Sequence, residues 1–303
     1  CRIRFADSPL HQDIAKTVAI LQILKNLPLT RQNVASLMHD SVSGASRAAA
    51  IDQAIEQLIS DPIVPFGEQD GALCFFSEKL NDIEQERSQI GLRGVELKRI
   101  ANTALTEVFS PLPTTQLHNS LAVQTGLKAQ AAGGMLTALA GDRNTIQTIV
   151  ELTDPKDYDA ARSRLLDESR HPSAKYQIFL VGRSTPEIDE LTAEIFRCRE
   201  IANKYRNEPD QEVKEYCNGQ LDRANRLTAE LERLTRRSLL QGSFLFRGQA
   251  SAVEGLSNDL HDAARKHLAT VAEQVFDRYG EAPVRVGTDL AELATLAGEP
   301  IEA

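Results

Sequence analysis

The chain has 303 residues, of which 42% are hydrophobic and 25% charged, so it can bury two or three cores and is not broadly disordered. Its formal net charge of −9 argues against a protein built to coat nucleic acid, because phosphate binding needs clustered Lys and Arg. Four cysteines (Cys1, Cys74, Cys198 and Cys217) form no CxxC pair, which removes the usual zinc and disulfide-scaffold patterns.

No signal-like segment opens the chain and no apolar run approaches ~18 residues, so a soluble, cytoplasmic protein without a membrane partner is expected. The chain opens on Cys1 rather than Met, as a processed chain or an excised fragment does.

Residues 12–26, "QDIAKTVAILQILKN", place Ile14, Val18, Leu21 and Leu24 on one helical face. In "LPLTRQNVASLMHD" Thr30 can cap a second helix, with Val34, Leu37 and Met38 pointing inward. Ser46 is an N-cap candidate for "RAAAIDQAIEQLISD", whose Ile51, Ile55, Leu58 and Ile59 form a buried stripe. Two short β-rich runs, 63–66 and 72–76, then flank a turn in which Asp70-Gly71 is a hairpin signal. Three helices followed by a hairpin predict a winged helix over 1–80.

A charged, helix-prone linker follows and should stop near "SPLP", where two prolines remove donors. Residues 114–142 are Gly-, Ala-, Thr- and Gln-rich with weak periodicity, so 81–142 reads as a helical linker and an irregular region. From residue 143 the grammar changes. "TIQTIVEL", "PKDYDAARSRLLDESR" and "KYQIFLVG" read as strand, helix and strand, a βαβ unit. Pro186 suits the first turn of a helix capped by Thr185. Two long amphipathic helices around "NEPDQE" predict an antiparallel hairpin of coiled-coil character at about 186–240, inserted in an α/β module spanning 143–303. "SFLFRG" is a short strand, and "SAVE" (Ser251 to Glu254) matches a capping box opening a helix that runs to Phe276 and stops at Gly280. One more strand and helix are expected after it. The expected fold class is mixed α/β and mainly helical.

Chemistry is sparse. No lysine follows a glycine, so there is no Walker A, and "AAGGM" lacks both the lysine and a preceding strand. No nucleophile elbow is present, and no catalytic residue is assigned. In "FLVGRSTPE" a strand end meets a helix start, which makes Gly182, Arg183 and Thr185 a candidate anion site. The alternative, preferred here, is that Gly182 turns the chain and Thr185 caps a helix. Glu151, Asp154 and Asp157 could suggest a metal, but they lie where capping and helix-dipole effects favour acids and have no His or Cys neighbour, so no metal site is expected. His261 and His267, six apart, point about 240° from each other on a helix and cannot share an ion.

For DNA contact the third helix offers Arg47, Gln53 and Gln57 against Asp52, Glu56 and Asp61, and Arg31, Gln32 and Asn33 open the second. The wing "GEQDG" is acidic where phosphate-contacting wings are basic. Arg233, Arg236, Arg237 and Arg247 are the basic candidates further on, among interspersed acids that favour a solvated ion-pair face. The contact candidates, for nucleic acid or a protein partner, are therefore Arg31, Gln32, Asn33, Arg47, Arg236, Arg237 and Arg247.

The order of elements in "AKTVAILQILKNLPLTRQNVASLMH" with its wing, "YQIFLVGR", the long charged helices and "GSFLFRGQ" resembles the BrxC/PglY family, large P-loop ATPases of bacterial BREX and Pgl phage-exclusion systems. In that family an AAA+-like ATPase precedes a winged helix and a long helical region. The resemblance implies a non-catalytic region downstream of the ATPase core, which scaffolds or relays to other defence-complex subunits, with contact to double-stranded DNA left open. ATP and Mg would then belong to that core, with no cofactor in this segment. The competing reading is an autonomous winged-helix DNA-binding regulator whose helical arm dimerises it, a homo-oligomer.

Overall fold

In the computed structural model, residues 5–24, 27–38, 46–61, 64–69, 71–118, 121–131 and 134–279 are described. Cys1, the Asp70 turn position, the Gly280 stop and the strand and helix expected after it lie outside them. In chain order the elements are α1 (Pro9–Leu24), α2 (Arg31–Leu37), α3 (Ala48–Ser60), β1 (Phe66–Gln69), β2 (Ala72–Phe75), α4 (Glu78–Ser88), α5 (Gly94–Val108), β3 (Thr114–Leu117), β4 (Leu121–Gln130) and β5 (Leu136–Ala140). They continue as β6 (Ile146–Thr153), α6 (Tyr158–Glu168), β7 (Gln177–Arg183), α7 (Pro186–Lys204), α8 (Gln211–Leu240), β8 (Ser243–Phe246), β9 (Gln249–Ala252), α9 (Val253–Leu256) and α10 (Leu260–Val275). The chain is mixed α/β with more helix than strand.

Contacts divide it into two units, Cys1–Ala104 with Pro186–Leu234, and Leu105–Thr185 with Thr235–Ala303. The division passes through α5 and α8. α7 and most of α8 interrupt the second unit in the chain, as the expected insertion at about 186–240 does, but belong by contact to the first. Their apolar stripes are buried against α4 and α5 instead. Ile201, Val213 and Tyr216 share a core with Leu80 and Ile83, and Ile188, Ile195 and Leu231 share one with Ile100.

In the first unit Ile14, Val18, Val34, Ile51, Ile55, Leu58, Phe66 and Leu73 bury one stripe from each of α1 to α3 and from the β1–β2 hairpin. Thr30 caps α2 as expected, accepting from the Asn33 amide at 3.2 Å. Ser46 accepts from the Ala48 amide at 3.3 Å, but the cap position is Arg47. The free side of β2 is held by the Leu73 amide donating to the Leu29 carbonyl at 2.8 Å. The Gln22 amide group also donates to the Phe75 carbonyl at 3.1 Å and accepts from its N–H at 2.8 Å.

Several apolar positions depart from expectation: Leu24 and Leu37 are 56% and 53% exposed. The first hairpin strand begins at Phe66 and runs through the residues expected to turn. Gly67, Glu68 and Gln69 pair in register with Cys74, Leu73 and Ala72, and Gly67 lies so close to the Phe76 ring that a Cβ there would sit 2.4 Å from Cε2. Phe76 in turn meets Tyr216 edge-on, with ring centroids 6.5 Å apart. Gly67→Ala is therefore expected to destabilise the chain by about 1–3 kcal/mol through overpacking, measurable as a lowered urea midpoint.

The second unit is built on a seven-stranded sheet ordered β3-β4-β6-β7-β8-β9, with β5 paired to β4. β4, β6 and β7 are parallel, joined in part by the β6–α6–β7 crossover read from the sequence. The β3, β5, β8 and β9 pairings are antiparallel. Side chains alternate across it. Ile146, Val150, Ile178, Leu180 and Phe244 face Leu260, Ala264, Leu268 and Val271 of α10, whereas Ile149, Phe179, Val181 and Leu245 face Tyr158, Ala161 and Leu165 of α6.

Residues 114–142, read as irregular, hold β3, β4 and β5. Their Ala, Gly, Thr and Gln content carries little alternation, and pairing with β6 decides their state. The expected capping box at Ser251 does not form, because Ser251 is paired with Phe244 inside β9. The long C-terminal helix starts later, at Asp259, whose carboxylate accepts from the Asp262 amide at 2.8 Å.

Candidate interaction site

In the first unit α4, α7 and α8 meet at a cluster of half-buried charges. Arg87 of α4, with a side chain only 12% exposed, donates to Glu84 at 2.5 Å and to Glu194 of α7 at 2.6 Å. Arg223 of α8 reaches the same Glu194 oxygen at 2.9 Å, and the Tyr216 hydroxyl donates to Glu84. Burial works against the Arg87 charge, but Glu84 and Glu194 outweigh it and hold its pKa above the ordinary value. Burial, with Glu84 alongside, raises the Tyr216 phenol, and burial next to Glu194 pushes the Cys198 thiol up to about 11. All three hydrogen-bond in fixed protonation states near neutrality, so the cluster is a structural lock on three helices.

The lock opens on a cleft of about 480 Å³ whose far wall is Phe66, Gly67 and Glu68 of β1 and Arg31 of α2. The sequence carried a signal for it. Leu80, Ile83 and Arg87 follow each other at helical spacing, so a charge occupies the buried stripe of α4.

Three of the seven residues singled out for contact, Arg31, Asn33 and Arg247, have side chains committed internally. Arg31 bonds Asp52 at 3.1 Å, Glu68 at 3.0 Å and Glu56, and although partial burial opposes its charge these three carboxylates raise its pKa. Asn33 spends its side-chain amide on the Pro28 carbonyl at 2.8 Å. Gln32 and Arg47 are exposed, Arg47 at the α3 cap position.

Arg247 lies over the Phe246 ring and donates to the Gln274 carbonyl at 3.1 Å, satisfying the last turn of α10. Arg183 does the same for α8, donating to the Gln241 carbonyl at 3.0 Å with its guanidinium 3.7 Å from the centre of the Tyr158 ring. Arg236 and Arg237 are exposed on α8.

At the candidate anion site the Arg183 guanidinium is taken up by the Gln241 carbonyl. A Cβ on Gly182 would meet Leu152 at 2.9 Å and Leu239 at 3.0 Å, so this glycine serves close packing. Thr185 does not cap α7, since its buried hydroxyl has no hydrogen-bond partner among the described residues. Glu151 lies inside β6, held by Arg164 at 2.6 and 2.7 Å to its two oxygens. Among the described residues no group of three or more His, Cys, Asp or Glu is placed to hold a metal, and no helix is long and apolar enough to cross a membrane.

Comparison with protein-family models, curated proteins and solved structures gave no match. Function therefore rests on the chain's own chemistry. That chemistry is a set of arginines spent on carboxylates and helix ends, a charged lock beside a cleft, and apolar residues left outside. On α1, Ile20, Ile23 and Leu24 are 60%, 81% and 56% exposed.

Proposed function

We propose that the chain is a non-catalytic scaffolding and relay region of a large multi-domain P-loop ATPase of the BREX/Pgl phage-exclusion type, acting in the cytoplasm on protein partners. In this reading α1 to α3 and the β1–β2 hairpin form a winged helix, and α7 and α8 form an antiparallel helical hairpin. ATP and Mg belong to the ATPase core and not to this segment.

The observation that carries the protein-contact reading is the outer face of α3. It presents Asp52, Gln53, Glu56 and Gln57, and the cation nearest them, Arg31, is bound by three carboxylates. In a winged helix that face meets the major groove, where phosphate repels carboxylate. The exposed Ile20, Ile23 and Leu24 supply an apolar contact surface on α1.

Ile23→Asp is expected to leave folding stability within about 0.5 kcal/mol, as for other surface changes, and to abolish phage restriction in cells carrying the intact system. Full restriction by the variant rejects the reading.

A second reading, an autonomous DNA-binding regulator, draws on the exposed Arg236 and Arg237. A salt titration of duplex binding separates the two. The scaffold gives no salt-dependent affinity, whereas the regulator gives an affinity falling with log salt, less steeply after Arg236→Ala and Arg237→Ala.

A further inference from the structure

The sheet of the second unit has one edge of unusual character. β5 pairs with β4 on one side only, and no residue of Leu136–Ala140 bonds a further strand among the described residues. Natural edge strands carry lysines, prolines or inward charges that block pairing with another chain. From residue 129 to 141 the sequence "AQAAGGMLTALAG" has neither charge nor proline. Met135 and Leu136 are 67% and 46% exposed, and Thr137 and Ala138 are exposed as well. The nearest charges, Lys128 and Asp142, neutralise each other at 3.1 Å.

The outward-facing backbone groups can be named. At the β4–β5 turn the Gly134 amide donates to the Ala131 carbonyl at 2.9 Å, and the Ala131 amide donates to the Met135 carbonyl at 3.0 Å. Hydrogen-bonded and non-bonded pairs alternate along an antiparallel ladder. Given the register Leu136↔Gln130, Thr137↔Ala129 and Ala138↔Lys128, Thr137 turns its N–H and C=O toward β4. Leu136 and Ala138 turn theirs outward.

We propose that β5 is a self-association edge, on which a second copy of this chain pairs its own β5 antiparallel about a two-fold axis through Thr137. Leu136 of each copy then exchanges main-chain bonds with Ala138 of the other, about four bonds in all. Leu136 packs beside the small Ala138, and Met135 beside Leu139. Thr137 faces its own copy in the close, non-bonded pair.

The absence of charge points to a second copy as occupant. Two chains of net charge −9 repel overall, and any charge near a two-fold axis meets itself. An uncharged edge is where such pairing carries no local repulsion. A charged partner would instead gain from an opposite charge on this strand. One strand edge is well short of the ~800 Å² per partner of stable interfaces, so the dimer forms as concentration rises.

Sedimentation velocity over a concentration series tests it, using the whole chain. Wild type is expected to shift from monomer to dimer. Thr137→Lys and Thr137→Glu, placed where each would face itself, are each expected to stay monomeric, and their equimolar mixture to recover the dimer. A wild type monomeric up to its solubility limit overturns the proposal, as does a dimer that survives both single variants, or a mixture that stays monomeric. Should either variant misfold, amide exchange on wild type decides. The Leu136 and Ala138 amides gain protection at high concentration if β5 pairs, and protection unchanged with concentration refutes it.

Discussion

Replacing Arg87 by alanine is expected to lower stability by about 1.5–3 kcal/mol, because it leaves two half-buried carboxylates without their shared cation. Glu84 and Glu194 both bond Arg87, and Glu84 also accepts from the Tyr216 hydroxyl. Without the guanidinium, Arg223 at 2.9 Å is the principal cation left for Glu194, and Glu84 keeps only a neutral donor among these groups. The lost energy measures a half-buried charge left short of its partner, not the net worth of the ion pair. A urea titration followed by circular dichroism reads it as a lowered midpoint. Arg233→Ala, which removes an exposed pair with Glu230, is the matched control and leaves the midpoint in place. An Arg87→Ala midpoint equal to that of the control would falsify the assignment of the cluster as a lock.

Acidification is expected to weaken the second unit through His267. This ring is 8% exposed, stacked on Phe244 at a centroid distance of 4.6 Å, and its Nε2 has no hydrogen-bond partner among the described residues. Burial pulls its pKa down from 6.5 to about 4. Between those values the unfolded chain binds the proton and the folded chain does not. Stability from this residue is therefore complete above pH 6.5, declines as pH falls, and is spent below pH 4. The loss over that window is ~3 kcal/mol. Thermal unfolding of wild type and His267→Phe at several pH values checks it. The variant keeps the aromatic stack and is expected to show a shallower decline between pH 6.5 and 4. Parallel pH profiles for the two proteins would exclude His267 as the source.

The candidate site shows how side-chain chemistry is divided between sequence and fold. In the sequence Arg31 and Arg247 are contact candidates, and Arg183 belongs to a candidate anion site. Each is held by groups distant in sequence: Arg31 by Asp52, Glu56 and Glu68, Arg183 by the Gln241 carbonyl, and Arg247 by the Gln274 carbonyl. An arginine at a turn looks the same whether it awaits a phosphate or closes a helix end, because the carbonyl that receives it comes from elsewhere in the chain. The Arg87 lock was visible only as a charge on the apolar stripe of α4. Its partner Glu194 lies 107 residues away, and Glu84 bonds Tyr216 132 residues beyond itself.

Local pattern alone determined most helices, the Thr30 cap and the parallel β6–α6–β7 unit, because 3.6-residue and two-residue periodicities and capping are short-range physics. Only the tertiary structure decided the rest. It made strands of the Ala- and Gly-rich 114–142, where pairing outweighs weak propensity. It moved the start of the last long helix from Ser251 to Asp259, since ladder bonds in β9 had claimed the serine. It also buried α7 and most of α8 against α4 and α5, because an apolar stripe specifies that it will be covered and not by what.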